Sequence, residues 1–213
     1  MFESAQDRLL KASECGDLAG VKQALLEGAS LYQRNDWGKT ALHAAAEAGH
    51  LEVVQWLVVE AGLDPNQQDH FGETALHAAA YGGHLAMAAW LVMEAGVDPN
   101  QVGHQGASVL HAAVAEGHLE VVQWLVITAS IDLDQVGSHG VPALGDSINE
   151  DYLEHEDHLE VARYLLSHGA SELSSEQIVR FGPEGQTAYQ QLLQDRMVQE
   201  KREMALAFPG NLM

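Results

Sequence analysis

Apolar positions along this chain fall at helical spacing, and the stretches that carry them come in pairs. Leu51, Val54, Leu57 and Val58 recur every three or four residues and predict a helix with one buried stripe. A shorter, alanine-rich stretch, Ala44 to Ala46, precedes it and favours helix. Gly49 lies between the two and permits a tight turn. Gly62 follows the second stretch at the left-handed position after a helix, and Asp64-Pro65 then starts an extended return. Each unit therefore reads as helix, turn, helix and loop.

The unit repeats. Thr40-Ala41-Leu42-His43-Ala44-Ala45-Ala46 comes back as Thr74-Ala75-Leu76-His77-Ala78-Ala79-Ala80, and in altered form as Ser108-Val109-Leu110-His111-Ala112-Ala113-Val114, each 34 residues on. Gly49-His50-Leu51 is echoed by Gly83-His84-Leu85 and Gly117-His118-Leu119. Thr40, Thr74 and Ser108 stand where a hydroxyl can accept from free N–H groups at a helix start. A fixed period of this length signals stacked supersecondary units, and a stack offers a continuous surface rather than an obligatory pocket.

These motifs resemble the ankyrin repeat: a G-x-T-P-L-H-x-A-A opening, a Gly-His turn, an apolar second helix and a G-A-D-x-N exit. Ala41 and Ala75 stand where the family has proline. A period of 34 equals that of tetratricopeptide repeats, and ankyrin units run to about 33. The residues decide, because the tetratricopeptide Trp, Leu-Gly and Tyr spacing is absent. Val59 and Val92 are read as lengthening the second helix by the extra residue. The resemblance implies an all-α solenoid with short β-hairpin finger loops and about six units. They span approximately 4–36, 37–70, 71–104, 105–138, 139–173 and 174–213, in one domain over 1–213. In the first unit Leu9 and Ala12 mark one helix, and Leu18, Val21, Leu25 and Leu26 the next. In the fifth, Gly145 replaces the histidine and six extra residues fall within Asp146 to Asp157. In the last, Gly185-Gln186-Thr187-Ala188-Tyr189 echoes the opening. Tyr189, Leu192, Leu193 and Met197 then face one side of a closing helix that frays beyond Met204.

Composition narrows the function. The net charge is −21. Between residues 37 and 139 Lys39 is the single basic residue against twelve acidic ones. Such a field repels nucleic acid and anionic membrane and favours a basic protein partner, although acidic surfaces also serve solubility alone. Cys15 is alone, which predicts a reducing compartment and a cytoplasmic protein. The start carries no secretory pattern, and no apolar stretch is long enough to span a bilayer. No phosphate-binding loop, His-Glu-x-x-His or Gly-x-Ser-x-Gly occurs, so a non-enzyme without catalytic residues, metal or cofactor is expected.

Seven of the twelve histidines belong to the repeat and read as structural: His43, His77 and His111 in the opening, and His50, His84, His118 and His158 at the turn. Trp56, Trp90 and Trp124 recur on the second helix and read as a stacked ladder. Trp37 differs, lying at a finger tip.

Ankyrin proteins usually bind with finger tips and the concave face of the first helices. The resemblance carries that role onto Asp36, Trp37, Lys39 and Glu47, then His70, Phe71, Glu73 and Tyr81, then His104, Gln105 and Glu116, with His139 continuing the row. Trp37, Phe71 and Tyr81 would form an aromatic cluster with an acidic rim, suited to a partner presenting Lys and Arg beside apolar side chains. The insertion adds Glu150, Asp151, Tyr152 and Glu154. It is read as reaching toward a basic partner, as a solvated loop, or as holding a divalent cation. The leading functional expectation is a monomer that inhibits a basic protein, for instance an immunity protein occluding a toxin or nuclease. A general adaptor or scaffold is the alternative, and an enzyme or metal protein built on the insertion is the third.

Overall fold

The computed structural model describes residues 4–137, 140–149 and 156–207. Helices come in antiparallel pairs. The first pair is α1 (Ala5–Glu14) with α2 (Leu18–Leu26). The second is α3 (Ala41–Glu47) with α4 (Leu51–Gln55), which runs on as a π-helical turn over Trp56–Glu60. Then follow α5 (Ala75–Tyr81) with α6 (Leu85–Met93) and α7 (Val109–Ala115) with α8 (Leu119–Ile127). The chain closes with α9 (Ala143–Asp146), α10 (Glu156–Ser167), α11 (Ser175–Ile178) and α12 (Pro183–Ala207). First helices pack in series, α1 on α3, α3 on α5, α5 on α7 and α7 on α9. Second helices α6, α8 and α10 stack behind them.

The core is a set of ladders set by the repeat. Leu42, Leu76, Leu110 and Leu144 are fully buried, and so are Leu57 and Leu91 and, one rung on, Leu125. Each such leucine contributes about 2 kcal/mol of apolar burial. Buried alanines Ala45, Ala46, Ala79 and Ala80 let successive first helices approach closely.

The extra residue of the 34-residue unit is absorbed as a wide turn. The N–H of Ala61 donates to the Trp56 carbonyl and that of Ala95 to the Trp90 carbonyl, each five residues back. One residue added to an α-helix produces this π geometry. At the exit Gly62 and Gly96 are left-handed (φ 74° and 72°), but the equivalent residue in the fourth unit is Ser130 at φ 50°. A side chain there costs about 1 kcal/mol relative to glycine.

The fingers are turns rather than strands; among the described residues only the isolated bridges Val102–Ser108 and Val136–Pro142 pair extended backbone. Each finger closes with one N–H to C=O bond, Asn35 to Lys39, Asp69 to Glu73, Gly103 to Ala107 and Gly137 to Val141. The first two are also held by side chains. Asn35 Oδ1 accepts from the N–H of Trp37 and Lys39, and Asp69 Oδ1 from that of Phe71 and Glu73. Asn and Asp favour such turns.

Three expectations need correction. Leu26 does not join the buried stripe of α2; it is 83% exposed, because Val21 and Ala24 define the inner face. The insertion does not project from its first residue. Ser147 and Ile148 are fully buried, and Gly185 lies so close that a Cβ there would meet the Ile148 carbonyl at 2.7 Å. The rest of it, 150–155, lies outside the described residues. Finally, the closing helix does not fray beyond Met204: the Gly185–Tyr189 echo lies inside α12, which continues to Ala207. Tyr189 and Leu192 are buried on that helix, Met197 is exposed, and the Tyr189 hydroxyl accepts from the Leu173 N–H at 2.7 Å.

Candidate functional site

Two sets of histidines lock the stack and fix what its surface presents. At the helix starts, His43, His77 and His111 take the capping-box place usually held by Glu or Gln. The Thr40 N–H donates to His43 Nδ1 at 3.2 Å, and the Thr40 hydroxyl lies 2.9 Å from the same nitrogen. An N–H has only a proton to give, so Nδ1 is the bare nitrogen and Nε2 carries hydrogen. His43 Nε2 donates to the Glu73 carbonyl in the next finger at 3.2 Å, and His111 Nε2 to that of Val141 at 3.3 Å. At His77 the matching carbonyl, Ala107, partly offsets desolvation, yet among the described residues no bond closes on Nε2. Burial holds His43 below the usual histidine range and pushes His77 down to about 4, so both rings are neutral at pH 7.

The turn histidines reach backward. His50 Nε2 meets the Glu14 carbonyl at 2.8 Å, His84 that of Glu47 at 2.8 Å, His118 that of Tyr81 at 2.9 Å, and His158 that of Ala115 at 3.1 Å. Each satisfies an orphan carbonyl at the end of the preceding unit's first helix. Each ring also covers the preceding turn glycine. A Cβ on Gly49 would come within 2.6 Å of the His84 ring, and one on Gly83 within 2.7 Å of His118.

The finger tips stack by the same logic. The His70 N–H donates to the Trp37 carbonyl at 3.0 Å and the His104 N–H to the Phe71 carbonyl at 2.6 Å. The imidazoles of His70 and His104 sit over Gly38 and Gly72. Both histidines thus brace neighbouring fingers while staying exposed. Trp37 is 61% exposed and Phe71 53%, on successive tips.

On the first-helix side, behind these tips, a cleft of about 230 Å³ is lined by Lys39, Glu47, Asp69, Glu73 and Tyr81, with His43 at its wall. The Lys39 ammonium bonds the Glu47 carboxylate at 2.5 Å. Lys39 and Glu47 also line a second hollow of about 260 Å³ toward Glu14, so their pair divides the surface. Asp69 is 5% exposed, and its Oδ2 has no hydrogen-bond partner among the described residues. Desolvation, then the charge of Asp69, raise the Glu73 pKa; Lys39 opposes the shift and Glu47 adds to it. The Lys39 ammonium thus bonds Glu47 and offsets part of the Glu73 shift, Arg34 holds the Gln68 carbonyl beside the cleft, and Asp69 Oδ2 finds no donor among the described residues.

Of the residues predicted for binding, Lys39, Glu47, Glu73 and Tyr81 come together here. Trp37 and Phe71 do not line this cleft but stand on the fingers above it, so the expected aromatic cluster divides. Asp36 is exposed beside Trp37, and His104 and Gln105 occupy the third tip, with Gln105 in the left-handed region (φ 71°). Glu116 is exposed at the end of α7. His139, Glu150, Asp151, Tyr152 and Glu154 lie outside the described residues. Sequence reasoning missed Asp69. The available signal was an Asn35/Asp69 pair, 34 residues apart, each two residues before an aromatic.

The ankyrin repeat family model, in three copies, matches residues 9–102 and 59–137. The chain belongs to the ankyrin repeat family. Two ankyrin repeat proteins of Rickettsia felis are 35% identical to it over 52 residues, which is 24% of this chain and 82% and 79% of theirs. Ankyrin repeats generally mediate protein–protein contacts. Among the described residues of this ankyrin stack no helix is long and apolar enough to cross a membrane.

Proposed function

We infer that this ankyrin stack binds a protein with a basic surface through its finger tips and concave first-helix face, as an inhibitor of that partner. The observation that carries the reading is the under-neutralised cleft of Glu47, Asp69 and Glu73, set in a stretch with a single lysine. A partner's Lys or Arg entering it meets the Glu47 and Glu73 carboxylates, with the Asp69 charge behind them. Trp37 and Phe71 supply exposed aromatic anchors beside it, the residue type that dominates interface energetics. A stack with one such face neutralises a basic protein by covering it, and an immunity protein masking a positively charged nuclease or toxin is the concrete form.

The test is a pull-down with mass spectrometry on wild type and a Trp37→Ala, Phe71→Ala, Tyr81→Ala variant. All three side chains are about half exposed or more, so the variant is expected to unfold within a few degrees of wild type. Affinity for the captured protein is expected to fall at least about a hundredfold, since each anchor contributes on the order of 1–2 kcal/mol. A partner retained equally by both proteins overturns the reading. A captured enzyme whose activity is unchanged by saturating amounts of this protein keeps the surface and removes the inhibitor.

A further inference from the structure

The opposite side of the stack carries a second pattern. Leu26, Val59, Met93 and Ile127 are each the ninth residue of a second helix. All four are large, apolar and exposed, at 83%, 67%, 66% and 69%. Isolated exposed apolar residues need no explanation, but four in register on successive helices form a stripe. Three residues earlier, on the same helical face, stand the half-buried Trp56, Trp90 and Trp124. The stripe ends where the equivalent residue of α10 is Ser167.

Charge and spacing say what fits there. Glu27, Glu60 and Glu94 are exposed directly after the first three rungs. The indole of Trp56 already receives a cation, with Lys22 Nζ 5.2 Å from its centroid. The positions equivalent to Lys22 before Trp90 and Trp124 are Gln55 and Ala89, which offer those rings no matching cation. Packed helices lie 8–10 Å apart, and an α-helix rises about 10.5 Å over seven residues. A helix laid along the stripe therefore places every seventh residue on a successive rung.

We propose that the second-helix face is a docking surface for a basic amphipathic helix of a partner protein. Apolar residues at i, i+7, i+14 and i+21 meet Leu26, Val59, Met93 and Ile127. Flanking Lys and Arg meet the glutamates and the Trp90 and Trp124 rings. The proposal does not depend on the first-helix face, and with both surfaces filled the protein bridges two partners.

The test uses a fluorescein-labelled synthetic 24-residue peptide with Leu at every seventh position, Lys and Arg on either side and Ala elsewhere. A peptide of the same composition with the leucines scrambled is the control. Binding is read by anisotropy against wild type and a Val59→Ser, Met93→Ser, Ile127→Ser variant, which keeps net charge constant. The patterned peptide is expected to bind at least about tenfold tighter than the scrambled one, and the serine variant to lose that advantage. The Trp37→Ala, Phe71→Ala, Tyr81→Ala variant is expected to bind the patterned peptide as wild type does. If the triple serine variant does not fold, Met93→Ser alone replaces it. Equal affinity for the two peptides overturns the proposal by reducing the effect to charge. So does sedimentation showing a dimer that the serine variant abolishes, which gives the stripe to a second copy of this chain.

Discussion

Replacing Gly83 with alanine is expected to destabilise the protein by about 3 kcal/mol, whereas the same change at Gly62 is expected to cost about 1 kcal/mol. The two glycines have nearly the same backbone, φ 72° and 74°. Both lose about 1 kcal/mol or more from placing a Cβ in the left-handed region. They differ in what the Cβ meets. At Gly62 nothing lies within 4 Å, and at Gly83 the His118 ring lies at 2.7 Å. The ring must move, and moving it breaks the 2.9 Å bond to the Tyr81 carbonyl. The helix end thereby loses the cap that the ring supplied. Because each unit is held only by its neighbours, the damage falls on the joint between the third and fourth units. Urea unfolding followed by far-ultraviolet circular dichroism measures both variants. Equal losses at the two positions would show that the histidine ties contribute nothing to the stack.

Acid is expected to weaken the fold well before the carboxylates are fully protonated. His77 has a pKa of about 4 in the folded protein and returns to about 6.5 in the unfolded chain. Between these values the unfolded chain binds more protons, so its contribution is complete above pH 6.5 and is lost as pH falls toward 4. At about 1.4 kcal/mol per unit the loss is about 3 kcal/mol. His43 is shifted in the same direction by burial and adds to it. Glu73 acts oppositely: its raised pKa favours the fold in acid. Acid also relieves repulsion in a chain of net charge −21, which softens the decline. The measurements are the free energy of urea unfolding at pH 7 and pH 4.5, and the His77 imidazole shift in a native-state titration. A His77 that titrates near 6.5 while folded contradicts the account.

How much of this was legible beforehand depended on how local each cause is. The repeat, the turn glycines and the structural histidines were readable because each rests on residues at fixed offsets within one unit and its copy. Gly49 and His84 announce their contact by recurring together. The 34-residue period was visible, but its resolution as a π turn between Trp56 and Ala61 was not, since one extra residue can be absorbed anywhere along a helix. Ile148 was hidden among acidic neighbours and is buried because α12 passes over it, a tertiary cause with no local signature. Asp36, Trp37, His70, Phe71, His104 and Gln105 are exposed, as residues at turn tips are. What composition did not reveal is that Asp69 turns one carboxylate oxygen toward its own finger and buries the other with no partner among the described residues. Leu26 was misplaced because it directly follows a stripe residue, and one residue is a turn of about 100° around a helix.

On the proposed reading, the first-helix face of the stack takes up a basic protein by charge. The most direct test of that reading is the association rate with the captured partner, measured by surface plasmon resonance at about 50 mM and about 300 mM salt. The measurement is made on wild type and on a Glu47→Gln, Glu73→Gln variant. The wild-type rate is expected to fall at least about tenfold over that range, and the variant to associate more slowly at low salt with a shallower dependence. A rate indifferent to salt, or unchanged by removing both carboxylates, would contradict it.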